Sequence, residues 1–364
     1  MENKKSSSMR PVLALLFMAL LIAMLAVHFS SKRPIKATDP LSLWTDSAPL
    51  KSNLTTFIDK TTTAGSADFI PVEDRVAVFD FDGTLFCETN PVYLDHRILY
   101  YRIAEDPEYK DKATSYEKET AKKIKDYMDT GVSDDNLPID HGTCVASAFS
   151  GFTVDEFNSY VKDYIDIKED NYTELKRSEM FYKPMVQVID YLKDNDFTVY
   201  IVSGTDRLLA RAFACDALDL PPRQVIGSDE LLVATGQDDT DGLDYQYTTD
   251  DNVILGGKFL IKNLKMNKVS AIEREIGIKP VLAFGNSSGD YSMATFATSN
   301  NKYLSQAYML CCDDLVRENG DIEKADKMYK KCTEAGWTPI SMKDDFVTIY
   351  GDTVTYTKPI AQTK

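Results

Sequence analysis

Three apolar runs, each ending abruptly in small or polar residues, dominate the hydrophobic pattern of the chain. They occupy residues 76–79, 198–202 and 281–284 and are rich in Val, Ile, Tyr and Phe. Short, continuous apolar runs bounded by turn residues are typical of strands buried inside a parallel sheet. The pattern therefore predicts an open α/β sheet, in which ligands gather at the carboxyl ends of the strands.

The first run leads directly into two aspartates, Asp80 and Asp82, which are followed by Gly83. If both aspartates keep strand geometry, their side chains point in roughly the same direction, because side chains alternate along a strand. Such a pair can divide the work of phosphoryl transfer, since one carboxylate can attack phosphorus while the other moves protons. The alternative is an N-cap aspartate and a turn aspartate with no chemical role.

Polar residues also follow the other two runs. Ser203 and Gly204 can offer a hydroxyl and backbone N–H groups to a phosphate oxygen, although a Ser-Gly pair after a strand is by itself an ordinary turn. The loop that contains Asn286 and Asp290 carries hard oxygen donors, which suit Mg²⁺. The sequence thus predicts phosphate and metal ligands at the same edge of the sheet.

Residues 267–277 have the apolar spacing of a helix, with Gly277 as its end. Lys268 lies near the start of this helix, where its charge can neutralise a nucleophile and a transferring phosphoryl group. Three other lysines are close in the sequence and are alternatives for this role: Lys258, Lys262 and Lys265.

The order and content of these segments resemble the motifs of the haloacid dehalogenase superfamily, most of whose members are phosphatases. Residues 80–85, Asp-Phe-Asp-Gly-Thr-Leu, are similar to motif I. The resemblance implies that Asp80 is the nucleophile that becomes an aspartyl phosphate and that Asp82 is the general acid and base. It also implies a Rossmann-like, doubly wound parallel sheet with an inserted helical C1 cap.

The later segments resemble the remaining motifs in the order that the superfamily uses. Ser203 with Gly204 looks like motif II, Lys268 like the motif III cation, and the Asn286 loop like motif IV. By this resemblance Ser203, Gly204 and Lys268 bind the phosphoryl group. The implied Mg²⁺ ligands are Asp80, the backbone carbonyl of Asp82, Asn286 and Asp290.

The flanking sequence narrows the resemblance. Residues 182–185, 221–222 and 283–287 are similar to an exported bacterial branch of phosphoserine-phosphatase-like hydrolases in this superfamily. Asn286 stands where many superfamily members have an aspartate, so the site keeps a carbonyl oxygen but loses one negative charge, which lowers the expected metal affinity. Asparagine is the usual residue here in the branch that the chain resembles.

About a hundred residues separate the first two motifs, which is too many for a single loop in a compact domain. Residues 100–128 and 155–167 have helical spacing, and Thr153 with Glu156 forms a predicted capping box before the second run. We expect a helical cap that closes over a small substrate and excludes water. The predicted boundaries are 53–86 and 183–364 for the core domain and 87–182 for the cap.

Two charged residues are candidate substrate contacts. Glu88 follows motif I at nearly the position where phosphoserine phosphatases have a glutamate that contacts the substrate's amino group, but its offset from Asp80 is one residue shorter. The alternative is an ordinary surface carboxylate. Arg207 and Arg211, one helical turn apart, can pair with a substrate carboxylate or cover the face of a helix.

The amino terminus carries an apolar segment, residues 11–29, preceded by Lys4, Lys5 and Arg10. Its length is close to the roughly 20 residues that span a bilayer. Residues 1–29 are therefore predicted to be a signal anchor or transmembrane segment, with a cleaved signal peptide as the alternative. Residues 30–52 are predicted to be a polar tether. The family resemblance favours a membrane-anchored or exported protein with its catalytic domain outside the cytoplasm.

The net charge of −16 argues against nucleic acid as a partner of the globular part. The sequence as a whole predicts a Mg²⁺-dependent phosphomonoester hydrolase that acts on a small phosphorylated metabolite through an aspartyl phosphate. One alternative is a phosphotransferase that passes the phosphoryl group to an alcohol. The other is a membrane-tethered binding protein with a decayed site.

Overall fold

The structure is a computed structural model and describes residues 39–357. The chain divides into two units, Met1–Ser42 and Leu43–Lys364. In the described part of the first unit, the Leu41 backbone N–H donates to Asp39 Oδ1 at 3.0 Å. The predicted membrane segment, residues 1–29, lies outside the described residues. Between residues 39 and 357, no helix is both long and apolar enough to cross a bilayer.

A seven-stranded sheet forms the centre of the second unit. Its strands are β1 (Val76–Phe79), β2 (Thr198–Asp206), β3 (Val225–Ala234), β4 (Val253–Ile261), β5 (Leu282–Gly285), β6 (Gln306–Cys311) and β7 (Thr338–Ser341). The strand order is β4-β3-β2-β1-β5-β6-β7, and every neighbouring pair is parallel except β3 and β4. The order reverses at β1, so the predicted α/β fold with a doubly wound, mainly parallel sheet is confirmed.

The three predicted apolar runs form the centre of this sheet. All four residues of β1 are buried, and Phe79 pairs in register with Ile201 of β2 and Phe284 of β5. The Phe79 and Phe284 rings stack with their centroids 4.1 Å apart. Because β1, β2 and β5 are parallel neighbours, the polar residues that follow them meet at one edge of the sheet.

Eleven α-helices are found in the part of the chain that the structure describes. They are α1 (Pro49–Thr62), α2 (Leu94–Tyr100), α3 (Ser115–Thr130), α4 (Leu137–Ala148), α5 (Val154–Ile165), α6 (Lys183–Lys193), α7 (Arg207–Leu218), α8 (Met266–Ala271), α9 (Tyr291–Thr298), α10 (Ile322–Ala335) and α11 (Met342–Asp345). Short π-helical turns, Tyr101–Glu105 and Ile272–Ile276, extend α2 and α8.

Helices α2 to α5 lie within the segment predicted to be the cap. The capping box predicted from Thr153 and Glu156 is present and begins α5, because the Thr153 Oγ1 accepts from the Glu156 N–H at 3.1 Å. Helix α4 packs on β4, where Gly142 faces the Phe259 ring so closely that a methyl group would overlap it. The cap therefore rests on the antiparallel edge of the sheet.

The structure corrects the end of the predicted tether, residues 30–52. Trp44 is 1% exposed, its Nε1–H donates to the Pro184 carbonyl at 3.0 Å, and its ring packs edge-on against Phe346. Helix α1 then begins at Pro49. Residues 43–52 thus belong to the packed body, because the buried Trp44 outweighs the polar residues around it.

Glu318 joins both connections of the cap to the carboxyl-terminal part of the chain. Its side chain is completely buried and accepts hydrogen bonds from the hydroxyls of Tyr172 at 2.5 Å, Thr89 at 3.2 Å and Tyr350. Thr89 precedes the cap helices and Tyr172 follows them. A buried carboxylate is tolerated only when its oxygens are hydrogen-bonded, so this cluster fixes the base of the cap.

Candidate active site

Asp80 and Asp82 lie at the carboxyl end of β1, and each is 7% exposed. The Asp80 N–H donates to the Phe284 carbonyl at 2.9 Å, which continues the sheet past the end of the strand. Gly83 then adopts a φ of +75°, and a Cβ at this position would overlap both the Asn286 amide and the Glu88 carboxylate. The chain can make this turn only with glycine, and the turn brings these side chains together.

Lys268 of α8 contacts the predicted nucleophile. Its Nζ donates to Asp80 Oδ1 at 2.5 Å and to Asp290 Oδ1 at 2.6 Å, and the residue is 1% exposed. The turn before α8 contains Lys265 with a φ of +55°, an uncommon conformation for a residue with a side chain. Of the four candidate lysines, Lys268 is the one that the fold directs onto Asp80.

Asp290 organises the loop after β5. Its Oδ2 accepts from the backbone N–H groups of Asn286 at 3.1 Å and Ser287 at 3.0 Å, while its Oδ1 binds Lys268. The Asn286 Oδ1 accepts from the Thr84 hydroxyl at 3.4 Å. The first and last of the predicted motifs are therefore in direct contact.

The two aspartates differ in their electrostatic surroundings. Burial raises the pKa of Asp80 to about 7, and the Asp290 charge adds to this effect while Lys268 opposes it. Burial also raises the pKa of Asp82 well above its usual value, with a further contribution from the charge of Asp95. Both carboxyls therefore retain a proton more readily than an ordinary aspartate, and Lys268 favours the ionised form of Asp80.

Thr205 is a site residue that the sequence reasoning missed. Its hydroxyl donates to Asp82 Oδ2, and this hydrogen bond opposes the rise in the pKa of Asp82. The predicted phosphate ligand Ser203 is completely buried, and its Oγ accepts from the Thr205 N–H at 3.0 Å. No local sequence signal marks Thr205, because β2 is irregular between Val202 and Asp206 and the contact with Asp82 forms only when β2 lies beside β1.

A cavity of about 240 Å³ opens over these residues. Gly204 and Thr205 line it, whereas Ser203 does not and instead accepts the hydrogen bond from the Thr205 N–H. The walls come from both the core and the cap: Asp80, Asp82, Glu88, Tyr93, Asp95, His96, Tyr127, Ser133, Pro138, Gly204, Thr205, Lys262, Leu264, Lys268, Asn286, Ser287 and Asp290.

The two predicted substrate contacts have different positions. Glu88 lines the cavity and is 5% exposed; its Oε1 binds Lys324, and its buried Oε2 has no partner among the described residues. Arg207 does not line the cavity, because its guanidinium is held by Asp229 at 2.7 Å and Glu275 at 2.7 Å. The geometry favours a substrate contact for Glu88 and an ion-pairing role on α7 for Arg207.

The predicted metal ligands form a set of hard oxygen donors. The carboxylates of Asp80 and Asp290, the amide oxygen of Asn286 and the carbonyl of Asp82 are the ligand types that Mg²⁺ prefers. Asp80 and Asp290 are close enough that their charges repel and contribute to the raised pKa of Asp80. Lys268 offsets only part of this repulsion, and a divalent cation held by these oxygens would offset the rest, so the residues present fit Mg²⁺.

Several solved structures are similar to this chain at low sequence identity. A protein of unknown function from Anaerococcus prevotii is 15% identical, with 80% of this chain and 91% of that chain covered and a TM-score of 0.49. Cytosolic 5'-nucleotidase IIIB bound to cytidine is 13% identical, with 84% of this chain and 90% of that chain covered and a TM-score of 0.47. A phosphoserine phosphohydrolase-like protein from Francisella tularensis is 15% identical, with 70% of this chain and 92% of that chain covered and a TM-score of 0.38.

No curated protein sequence matches the chain. The sequence model of one family, described as haloacid dehalogenase-like hydrolase, matches residues 77–295. This stretch begins inside β1 and ends in α9, so it contains all four predicted motifs and the cap. The match confirms the predicted superfamily and the prediction of an enzyme, while the exported, phosphoserine-phosphatase-like branch stays a prediction. The chain belongs to the haloacid dehalogenase-like hydrolase family.

Proposed function

We propose that the protein is a Mg²⁺-dependent phosphomonoester hydrolase that works through a phosphorylated Asp80. The observation that carries this proposal is the pairing of two buried aspartates in different electrostatic surroundings. Asp80 is held against the Lys268 ammonium at 2.5 Å, and Asp82, two residues on, has a pKa well above its usual value. One carboxylate is suited to attack and the other to donate a proton.

In the first half of the reaction, Asp80 Oδ2 attacks phosphorus in line with the leaving oxygen. Lys268 binds Oδ1 of the same carboxylate and stabilises its ionised form. The bond from phosphorus to the leaving oxygen breaks as the bond to Asp80 forms, and the Asp82 carboxyl donates its proton to that oxygen. Thr205 orients the Asp82 carboxyl for this transfer, because its hydroxyl is bonded to Oδ2.

In the second half, the Asp82 carboxylate removes a proton from a water molecule, and the water oxygen attacks the phosphorus of the aspartyl phosphate. Asp80 is released as a carboxylate, and Asp82 is again protonated for the next cycle. The Gly204 backbone and the Lys268 ammonium lie in the cavity wall, where they can stabilise the charge on the phosphoryl oxygens.

Asp80, the Asp82 carbonyl, Asn286 and Asp290 would hold Mg²⁺. When bound, the ion neutralises the charge of the phosphoryl group and fixes its orientation relative to Asp80. Asn286 contributes no charge, so the two aspartates provide the electrostatic attraction for the cation. Asp290 is already positioned for this role by the N–H groups of Asn286 and Ser287.

We propose a small phosphorylated metabolite as the substrate, as expected from the phosphoserine-phosphatase-like branch. The cavity volume of about 240 Å³ and its closure by cap residues support a small leaving group. The unpartnered Glu88 Oε2 supports a hydrogen-bond donor on that group, such as an amine or a hydroxyl. Pairing with it would satisfy a buried acceptor, which is otherwise costly.

The test is Mg²⁺-dependent phosphate release from a panel of small phosphomonoesters by the full chain. Asp80→Asn is the inactive control, and Asp68→Asn is the matched control outside the site. We expect turnover that requires Mg²⁺, disappears in Asp80→Asn and persists in Asp68→Asn. Turnover that survives in Asp80→Asn would contradict the proposal.

The two alternatives are tested in the same assay. A phosphotransferase would transfer the phosphoryl group to glycerol or ethanolamine added to the reaction, and the new ester would exceed the phosphate released. A binding protein with a decayed site would give no turnover with any ester. The contact of Lys268 with both Asp80 and Asp290 favours an intact site over a decayed one.

We further propose that residues 1–29 hold the enzyme at a membrane, with the catalytic body outside the cytoplasm. The apolar residues 11–29 and the family resemblance support this location. Cell fractionation of the full chain and of a version that begins at Asp39 tests it. The full chain should sediment with membranes and be digested by protease added to spheroplasts, and the shortened chain should do neither.

A further inference from the structure

Lys262 is a cavity lysine whose charge no neighbouring carboxylate neutralises by direct contact. It lies immediately after β4 and lines the cavity, together with Lys268. Lys268 is paired with two carboxylates, and Lys324, at the edge of the site, is paired with Glu88. Within residues 39–357, no carboxylate oxygen lies within 4.0 Å of the Lys262 Nζ. Its ammonium is therefore available to a ligand.

His96 of α2 lines the same cavity from the cap side. Its Nδ1 is 2.7 Å from Asp95 Oδ1. Burial alone would raise the pKa of Asp95, but the charges of His141 and His96 outweigh burial and lower this pKa. Asp95 is thus ionised and accepts the proton on His96 Nδ1. The other ring nitrogen of His96, Nε2, is therefore the one available to a ligand in the cavity.

Asp95, His96 and His141 bring a carboxylate and two imidazoles within 4.8 Å of one another, but their geometry does not suit a metal ion. The two rings stack with centroids 4.3 Å apart and an interplanar angle of 18°. Stacked imidazoles direct their lone pairs along nearly parallel planes, so these do not converge tetrahedrally on one ion. The His141 Nε2 is also occupied, since it lies 3.1 Å from the Asp95 carbonyl oxygen.

The cluster instead supports His96 from behind. His141 packs against one face of the ring, and Asp95 fixes its orientation through Nδ1. Lys262 lines the cavity together with Asp95 and His96, and it lines a second, smaller cavity together with His141. Lys262 from the core and His96 from the cap thus meet the same ligand space.

We propose that Lys262 and His96 bind a second acidic group, a carboxylate or a phosphate, on the leaving group of the phosphate ester. This inference rests on the proposed hydrolase function and specifies its substrate class. An acidic group here would receive a charge-assisted hydrogen bond from the Lys262 ammonium and would contact the His96 ring from the cap side.

The position of the pair agrees with a role toward the leaving group. Asp82 lines the same cavity as Lys262 and His96, so a ligand bound by the pair lies beside the general acid. The leaving oxygen receives its proton on that same side. A ligand held by Lys262 and His96 would also bridge core and cap, which would keep the cavity closed during the reaction.

Three matched esters test the proposal with the full chain and Mg²⁺. They are phosphoglycolate, which has a carboxylate, ethane-1,2-diyl bisphosphate, which has a second phosphate, and 2-hydroxyethyl phosphate, which has neither. We expect the wild-type kcat/KM for at least one acidic ester to exceed that for the neutral ester by tenfold or more. The better of the two acidic esters identifies the acidic group.

Variants then assign this preference to the two residues. Lys262→Met and His96→Asn should reduce the preference to less than threefold, mainly through KM for the acidic ester. Lys262→Arg should retain it, because a cation is preserved. Lys258→Met, which changes an exposed lysine of β4, is the matched control and should behave as wild type.

The outcomes separate this inference from the hydrolase function. Equal hydrolysis of all three esters by the wild type would overturn the acidic-group subsite and leave the hydrolase intact. A preference that survives in both Lys262→Met and His96→Asn would do the same. A folded wild-type enzyme that binds Mg²⁺ but hydrolyses none of the three counts against the proposed function itself.

Discussion

Replacing Asp80 by Asn should stabilise the metal-free fold while it abolishes activity. The folded state holds the pKa of Asp80 at about 7, compared with 3.8 for an ordinary aspartate. At about 1.4 kcal/mol for each pH unit, this difference corresponds to about 4 kcal/mol. The carboxylate therefore weakens the fold at neutral pH, because it is buried and repelled by Asp290.

The sign of the effect determines its pH dependence. A carboxyl whose pKa is raised by folding does not lower the free energy of unfolding at a pH below its unfolded pKa. Above that pH, it lowers the free energy of unfolding increasingly, until the pH passes the folded pKa. Asn resembles the protonated carboxyl at every pH. The gain in unfolding free energy from Asp80→Asn should therefore rise from about 2 kcal/mol at pH 5 to about 4 kcal/mol at pH 8.

Urea unfolding of wild type and Asp80→Asn in EDTA at these two pH values measures the gain. Saturating Mg²⁺ should then stabilise the wild type more than the variant, because the cation binds the Asp80 carboxylate. Asp68→Asn, which changes a half-exposed aspartate that does not line the cavity, is the matched control and should show neither effect. A gain that is absent at pH 8, or equal at both pH values, would refute the electrostatic reasoning.

Three further substitutions test other parts of the site. Asp82→Asn should lower kcat by about 10²- to 10⁴-fold in steady-state assays, since it removes the general acid and base; a loss below threefold would contradict this role. Thr205→Val should move the alkaline limb of the plot of kcat against pH to higher pH, because it removes the hydrogen bond that lowers the pKa of Asp82. Thr205→Ser keeps the hydroxyl and should leave this limb where it is. Gly83→Ala should destabilise the fold by about 2 kcal/mol or more in urea, since its φ is +75° and the methyl would overlap Asn286 and Glu88; unchanged stability would show that the turn can relax.

The sequence was sufficient for the parts of the structure that local pattern controls. The runs that became β1, β2 and β5 were recognisable because each is short, continuously apolar and closed by a polar turn. Their parallel pairing then brings Asp80, Lys268 and Asp290 into contact. Lys268 could be chosen among four lysines only from its order relative to the last motif, and its contact with two carboxylates agrees with that choice.

Other features depend on contacts between distant segments. No local pattern pairs Arg207 with Glu275, because the two residues are far apart in the chain and meet only in the folded structure. Thr205 follows a recognisable Ser-Gly pair, but its contact with Asp82 becomes visible only when β2 lies beside β1. His96 and His141 are far apart in the sequence and stack only when α2 and α4 pack in the cap.

The most direct test of the central claim is to trap the phosphoenzyme. Wild-type enzyme is mixed with Mg²⁺ and a hydrolysed ester, quenched in acid within one turnover, digested and examined by mass spectrometry. We expect one added phosphoryl group on the peptide that contains Asp80. Hydroxylamine should remove it, and it should be missing in Asp80→Asn. Rapid turnover with an unmodified Asp80 peptide, or with the phosphoryl group on another residue, would contradict the aspartyl-phosphate mechanism.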